Sequence, residues 1–100
     1  MAKVVLLVNV ELEDGKREEY LSAVGELRDR FRASGDVSYG VFENQGKEKD
    51  SFTEMFTFKD MSAYEAFDDG EEDGEANEIF AKILSMGKRA PKYTTLVEVE

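Results

Sequence analysis

The sequence predicts an α+β domain, with strands and helices in the order β-α-β-β-α-(α)-β and four strands in one antiparallel sheet. Three observations carry that reading. One is a stretch that changes period: Phe52, Glu54, Phe56 and Phe58 alternate, and Met61, Tyr64 and Phe67 then follow three apart, so a strand runs into a helix. Another is Lys16 to Ser34, where Tyr20, Val24, Leu27 and Phe31 recur at helical spacing, with Leu21 widening the stripe. The third is the polar run Asn44 to Asp50 between two strand-like segments, which reads as a hairpin loop.

Taken in order, Val4 to Leu12 is the first strand, with Val4, Leu6, Val8, Val10 and Leu12 on one face and Val5, Leu7, Asn9 and Glu11 on the other. Its first half is apolar on both faces, as a central strand covered on both sides requires. Asp14-Gly15 ends it, and Asp14 is the expected cap of the helix that follows. In that helix Glu18 and Glu19 sit early and Arg28, Arg30 and Arg32 late, as the helix dipole favours, and Gly35 stops it. Val37 to Asn44 forms the second strand and Phe52 to Phe58 the third. Asp60 or Ser62 caps the next helix, with Ser62 and Glu65 spaced as a capping box, and that helix fails near Gly70. Another runs from about Glu75 to Met86, and Gly87 and Pro91 close it. Tyr93 to Val99 is the last strand. This is the ferredoxin-like order, and right-handed crossovers put the first and third strands in the middle.

The 100 residues make one domain, 1–100, with 41% hydrophobic and 36% charged residues. Charge is well above the usual share of about 25%, so the core is thin and pairing of two chains would add burial. No Cys and no His are present. That removes thiol chemistry, zinc-thiolate sites and the commonest general base and haem ligand. A net charge of −10 argues against nucleic acid and anionic membranes as partners. Tyr39-Gly40-Val41-Phe42 is similar to an aromatic RNA-binding motif but lacks basic surroundings. The longest apolar run, Val4 to Val8, is too short for a membrane span and Met1-Ala2-Lys3 does not open a secretion signal, so the expectation is a soluble, cytoplasmic protein.

Asp60 to Ala81 holds nine acids and no Lys or Arg. Within it Asp69, Glu71, Asp73 and Gly74 match the start of a calcium loop, but the closing position is Phe80 instead of a bidentate Glu. A solvated acidic turn is the expectation, with no metal site.

The segment Phe58-Lys59-Asp60-Met61-Ser62-Ala63-Tyr64 resembles the aromatic, polar-turn, Ala-aromatic helix start of the antibiotic-biosynthesis-monooxygenase-like proteins, in the dimeric α+β barrel superfamily. Asn9-Val10-Glu11-Leu12 resembles the first strand of haem-degrading members, which carry a pocket Asn there. The resemblance implies a homodimer whose two sheets meet as a barrel, with a pocket in each chain between sheet and helices. It implies oxygenation of hydroquinone-like or polyketide aromatic substrates with no cofactor. The Trp common at the position of Phe58 and the His usual near Phe67 are absent, which disfavours haem degradation.

Cofactor-free oxygenation needs a substrate that becomes a carbanion or phenolate, a dry pocket, orienting donors and a base. Glu54, between phenylalanines, is the candidate base, since desolvation would raise its pKa; the alternative is a carboxylate paired with a Lys, Arg or tyrosine hydroxyl. Asn9 interrupts an apolar strand and is the candidate group that orients a substrate oxygen, or else bonds neighbouring backbone. Phe52, Phe56, Phe58, Tyr64, Phe67 and Tyr39 are the candidate pocket walls, and Tyr93 could add a hydroxyl. Each is also a plausible core residue. A non-catalytic dimer that binds a ligand or a protein is the competing reading.

Overall fold

The computed structural model describes residues 2–35, 37–46, 49–68 and 74–99. Its elements are β1 (Val4–Glu11), α1 (Arg17–Ser34), β2 (Val37–Glu43), β3 (Ser51–Phe58), α2 (Met61–Asp68), α3 (Gly74–Ser85) and β4 (Lys92–Val97). The strands form one antiparallel sheet in the order β2-β3-β1-β4, so the two strands richest in apolar and aromatic residues lie in the centre. Of the acidic calcium-like stretch, Asp69, Glu71 and Asp73 lie outside the described residues.

Register decides which side chains share a face. Val4 faces Phe58, Leu6 faces Phe56, Val8 faces Glu54 and Val10 faces Phe52 across β1 and β3. These residues are all buried under the helices. Tyr20, Ala23, Val24, Leu27 and Phe31 of α1 and Ala76 and Ile83 of α3 close over them. Arg30 of α1 and Glu75 of α3 form an ion pair across the two helices. Val5, Leu7, Asn9, Thr53, Met55 and Thr57 occupy the opposite face, which no helix covers, and are partly exposed.

Several boundaries differ from expectation for local reasons. Asp14 does not cap α1; the cap position is Lys16, which makes no side-chain capping bond, and Asp14 instead enters a turn that Gly15 completes at φ 82°. Gly35 ends α1 as expected, at φ 73°, and its N–H donates to the Phe31 carbonyl at 2.9 Å, a left-handed stop that favours glycine. Asp60 caps α2, accepting a bond from the Ala63 N–H at 2.9 Å. Lys92–Val97 is the extent of β4, so Val99, expected in the strand, lies beyond it and is 94% exposed.

A clamp ties α1 to the β2–β3 hairpin. Arg17 donates to both carboxylate oxygens of Glu43, at 3.0 and 2.9 Å, and to Asp50 at 2.9 Å, while its guanidinium lies 5.3 Å from the centre of the Phe52 ring. The hydrogen bond from Arg17 holds the Glu43 carboxyl below its ordinary range. Asp50 adopts φ 62°, a left-handed conformation that a non-glycine residue holds only when its surroundings compensate; the bond from Arg17 supplies part of that.

Candidate functional site

The helix-side cleft begins where β3 hands over to α2. Asp60 fixes the first turn of α2, which swings Tyr64 and Phe67 back over the sheet. Their rings stack on the strand they follow: Phe58 meets Tyr64 edge-on at 5.5 Å and Phe67 at 5.2 Å. Helix α3 presents Phe80 to the same group, edge-on to Phe56 at 5.6 Å. Between these helices and the β1–β4 side of the sheet lies a cleft of about 430 Å³, lined by Leu6, Tyr64, Phe67, Phe80, Leu84 and Tyr93, with Asn77, Ala81 and Thr95 completing it.

The walls divide by chemistry. Leu6, Phe67, Phe80 and Leu84 make an apolar floor. The Tyr64 hydroxyl and Thr95 Oγ1 lie 3.2 Å apart in a hydrogen bond, and with Tyr93 and Asn77 they place hydroxyl and amide groups beside it. Among the described residues, no carboxylate, ammonium or guanidinium lines the cleft. Such a surface suits a flat, uncharged ring system bearing oxygen substituents. A proton leaving a ligand there would pass to a hydroxyl or to water.

Glu54 sits elsewhere. It is fully buried, and its carboxylate accepts a bond from the Tyr20 hydroxyl at 2.9 Å and from the Tyr39 hydroxyl at 2.7 Å. Burial pushes its pKa up, and the two tyrosine bonds oppose that only in part. Burial likewise pushes both tyrosines well above the ordinary phenol range, and the neighbouring carboxylate adds to it. Glu54 does not line the cleft; it points toward α1 and β2, and the rings of Phe56 and Phe67, 5.3 Å apart, lie on the cleft's side. The partner foreseen in its alternative reading, a tyrosine hydroxyl, is the one present, twice over.

Asn9 is on the other face of the sheet. It pairs with Thr53, next to the Val8–Glu54 pair, and successive strand residues point to opposite faces. The structure therefore does not bring Asn9 and Glu54 together. Of the six expected walls, Tyr64 and Phe67 line the cleft, whereas Phe56 and Phe58 back it as a second aromatic layer. Phe52 lies against Tyr20 at 4.8 Å and Tyr39 against Phe31 at 5.5 Å, both on the α1 side.

Sequence reasoning passed over Phe80, Leu84, Asn77, Leu6 and Thr95 as site residues. The stripe of α3 was legible, but a stripe shows only that a face is covered, not whether a gap remains beneath it. No group of three or more Asp, Glu, Cys or His side chains is placed to hold a metal among the described residues. No helix there is long and apolar enough to cross a membrane.

No family model matches the chain, and no curated protein matches it. Solved structures do. A protein from Caulobacter crescentus CB15, described among the antibiotic biosynthesis monooxygenases, superposes with a TM-score of 0.81 at 14% identity, over 99% of this chain and 92% of its own. Another structure named antibiotic biosynthesis monooxygenase gives 0.77 at 17% identity over 100% of both chains. A conserved protein from Methanosarcina mazei Go1 gives 0.80 at 15% identity, over 96% of this chain and 92% of that one. Likeness at these identities is likeness of fold, and the chain has the ferredoxin-like α+β fold of the antibiotic-biosynthesis-monooxygenase-like proteins.

Proposed function

We propose that the chain is a small-molecule pocket protein whose helix-side cleft takes a hydroquinone-like or polyketide aromatic ligand. The observation that supports this is the cleft itself, an aromatic floor with hydroxyl groups along one side in a chain otherwise rich in charge. Structures of the same fold that are named monooxygenases support oxygenation as its chemistry. In that reaction the ligand loses a proton to water and hands one electron to dioxygen. The ligand radical and superoxide join as a peroxide, which loses water and leaves one oxygen on the ring, with Tyr64, Tyr93 and Asn77 orienting the ligand's oxygens and no cofactor taking part. Glu54 and Asn9 are then not the base and the orienting amide of this cleft. Their placement favours a second reading, in which the cleft binds the ligand without turning it over.

The protein acts in the cytoplasm as a homodimer that pairs through the uncovered face of the sheet. Val5, Leu7 and Met55 are partly exposed there, and Phe42 and Leu96 are 56% and 49% exposed, an apolar surface that a second copy would cover.

The test uses 1,4-naphthohydroquinone. Anaerobic calorimetry is expected to show saturable binding, weakened about tenfold or more in Phe80→Ala, since the ring forms part of the floor. Admitting dioxygen then separates the two readings: uptake with oxygen incorporated into the product supports oxygenation, and binding with no uptake above the protein-free rate supports the binding-only form. Absence of binding, or binding untouched by Phe80→Ala, refutes the cleft. Native mass spectrometry checks the dimer, and a monomer at micromolar concentration counts against it.

A further inference from the structure

The buried Glu54 group does not line the cleft, yet packed rings connect the two. The Tyr39 hydroxyl donates to Glu54 Oε1 at 2.7 Å and the Tyr20 hydroxyl to Oε2 at 2.9 Å. The Tyr39 ring lies 4.9 Å from that of Phe56, and Phe56 lies 5.3 Å from Phe67, which lines the cleft. Two ring-to-ring steps therefore carry Tyr39 to the cleft wall. Tyr20 packs instead on Phe52 at 4.8 Å, away from the cleft, so Tyr39 is the phenol on the route.

Composition gives that route a use. The chain has no Trp and no Cys, and its four tyrosines are Tyr20, Tyr39, Tyr64 and Tyr93. Phenols are thus its most readily oxidised aromatic groups. A phenol gives up an electron easily only where its proton can leave too, because the oxidised O–H is strongly acidic. Tyr64 is hydrogen-bonded to the Thr95 hydroxyl, a poor base. Tyr39 faces a carboxylate. Moving its proton to Glu54 as its electron leaves turns an ionised, buried carboxylate into a neutral acid beside a neutral radical. The pair goes from one negative charge to none, so the desolvation that pushes the Glu54 pKa up favours the step.

We propose that Tyr39 and Glu54 form a redox site that quenches oxygen-centred radicals in the aromatic cleft. A ligand radical that meets dioxygen instead of superoxide becomes a peroxyl radical. One electron passes from Tyr39 through Phe56 and Phe67 and reduces the peroxyl to a hydroperoxide anion, which takes a proton from water. The Tyr39 O–H bond breaks, its proton joins Glu54, and a neutral phenoxyl radical remains on Tyr39. This site relies on the proposed oxygenation only for its natural oxidant.

The probe is azide radical, a small neutral one-electron oxidant made by pulse radiolysis, so the test needs no turnover in the cleft. The full chain is oxidised in mildly alkaline solution, which favours the carboxylate form of Glu54, then frozen and read by high-field EPR. There a hydrogen bond to the phenoxyl oxygen lowers the largest g value. Tyr93, at the cleft and 54% exposed, meets the oxidant most readily, yet the natural chain is expected to show mainly the hydrogen-bonded radical. Tyr20→Phe and the double variant Tyr64→Phe/Tyr93→Phe are expected to keep that signal. Tyr39→Phe and Glu54→Gln are expected to lose it and leave the unbonded radical of a cleft tyrosine. An unbonded signal that persists in the natural chain overturns transfer from the cleft, and this result needs no variant to fold. The bonded signal surviving in Tyr39→Phe or Glu54→Gln, or no radical in the double variant, overturns the assignment of the pair.

Discussion

The two faces of one sheet obey different rules in this protein. Under the helices, Phe52, Phe56 and Phe58 are 3%, 0% and 0% exposed, and even the ionisable Glu54 is sealed there with two tyrosine partners. On the opposite face, one residue along the same strands, Thr53, Met55 and Thr57 stay partly exposed and polar groups bond one another in a chain. The strands are the same; the cover differs. A carboxylate on the helix face becomes part of the core, whereas an amide on the other face stays partly exposed.

Truncation tests that contrast most directly. Phe56→Ala is expected to cost about 3–5 kcal/mol, independent of protein concentration, in urea unfolding. Met55→Ala, its neighbour on the uncovered face, is expected to cost less in a way that depends on protein concentration, because the proposed dimer would add its binding free energy to stability. A Met55→Ala loss that is as large as that of Phe56→Ala at every concentration would mean the uncovered face is packed within its own chain.

Next in size is the hydroxyl that each tyrosine gives Glu54. Tyr20→Phe is expected to cost about 1–3 kcal/mol, the loss of one partner from a buried carboxylate. Unfolding of the variant near neutral pH checks this, and a change near zero would mean that the remaining partner suffices.

The pH dependence of stability sharpens the same point. The folded pKa of Glu54 is raised above its ordinary value, so the folded chain holds the proton more tightly than the unfolded one. Its stabilising share is complete below the ordinary carboxylate range and is lost as pH rises through the raised folded value. Glu54→Gln removes that loss. Its stability relative to the natural chain should therefore rise as the pH climbs above the ordinary carboxylate range, and a flat or falling difference would contradict the burial argument.

The smallest effect belongs to the clamp. Glu43→Gln weakens an ion pair whose two side chains are 41% and 42% exposed, so a loss smaller than that of Tyr20→Phe is expected, shrinking further in high salt. A larger loss would show that the clamp and the left-handed Asp50 hold the hairpin as a unit.

The fold was legible because its signals are local. Alternation in β1 and β3, helical spacing from Tyr20 to Phe31 and the stop at Gly35 each depend on residues a few positions apart, and they matched the structure closely. The candidate site was legible only in pieces. Tyr64 and Phe67 belong to one helix and were found together, whereas Phe80, Leu84 and Thr95 reach the cleft from elements far along the chain. Glu54 was correctly singled out as a desolvated carboxylate, but its partners Tyr20 and Tyr39 lie 34 and 15 residues away.

The sequence by itself determined the element order, the two central strands and which residues of each strand share a face, since period and turn chemistry act within a few residues. The tertiary structure alone decided the register that pairs Val8 with Glu54 and Asn9 with Thr53. A slip of one residue between β1 and β3 would have put Asn9 and Glu54 on the same face. Whether two groups meet is settled by how separately formed elements pack, and local preference carries no information about that.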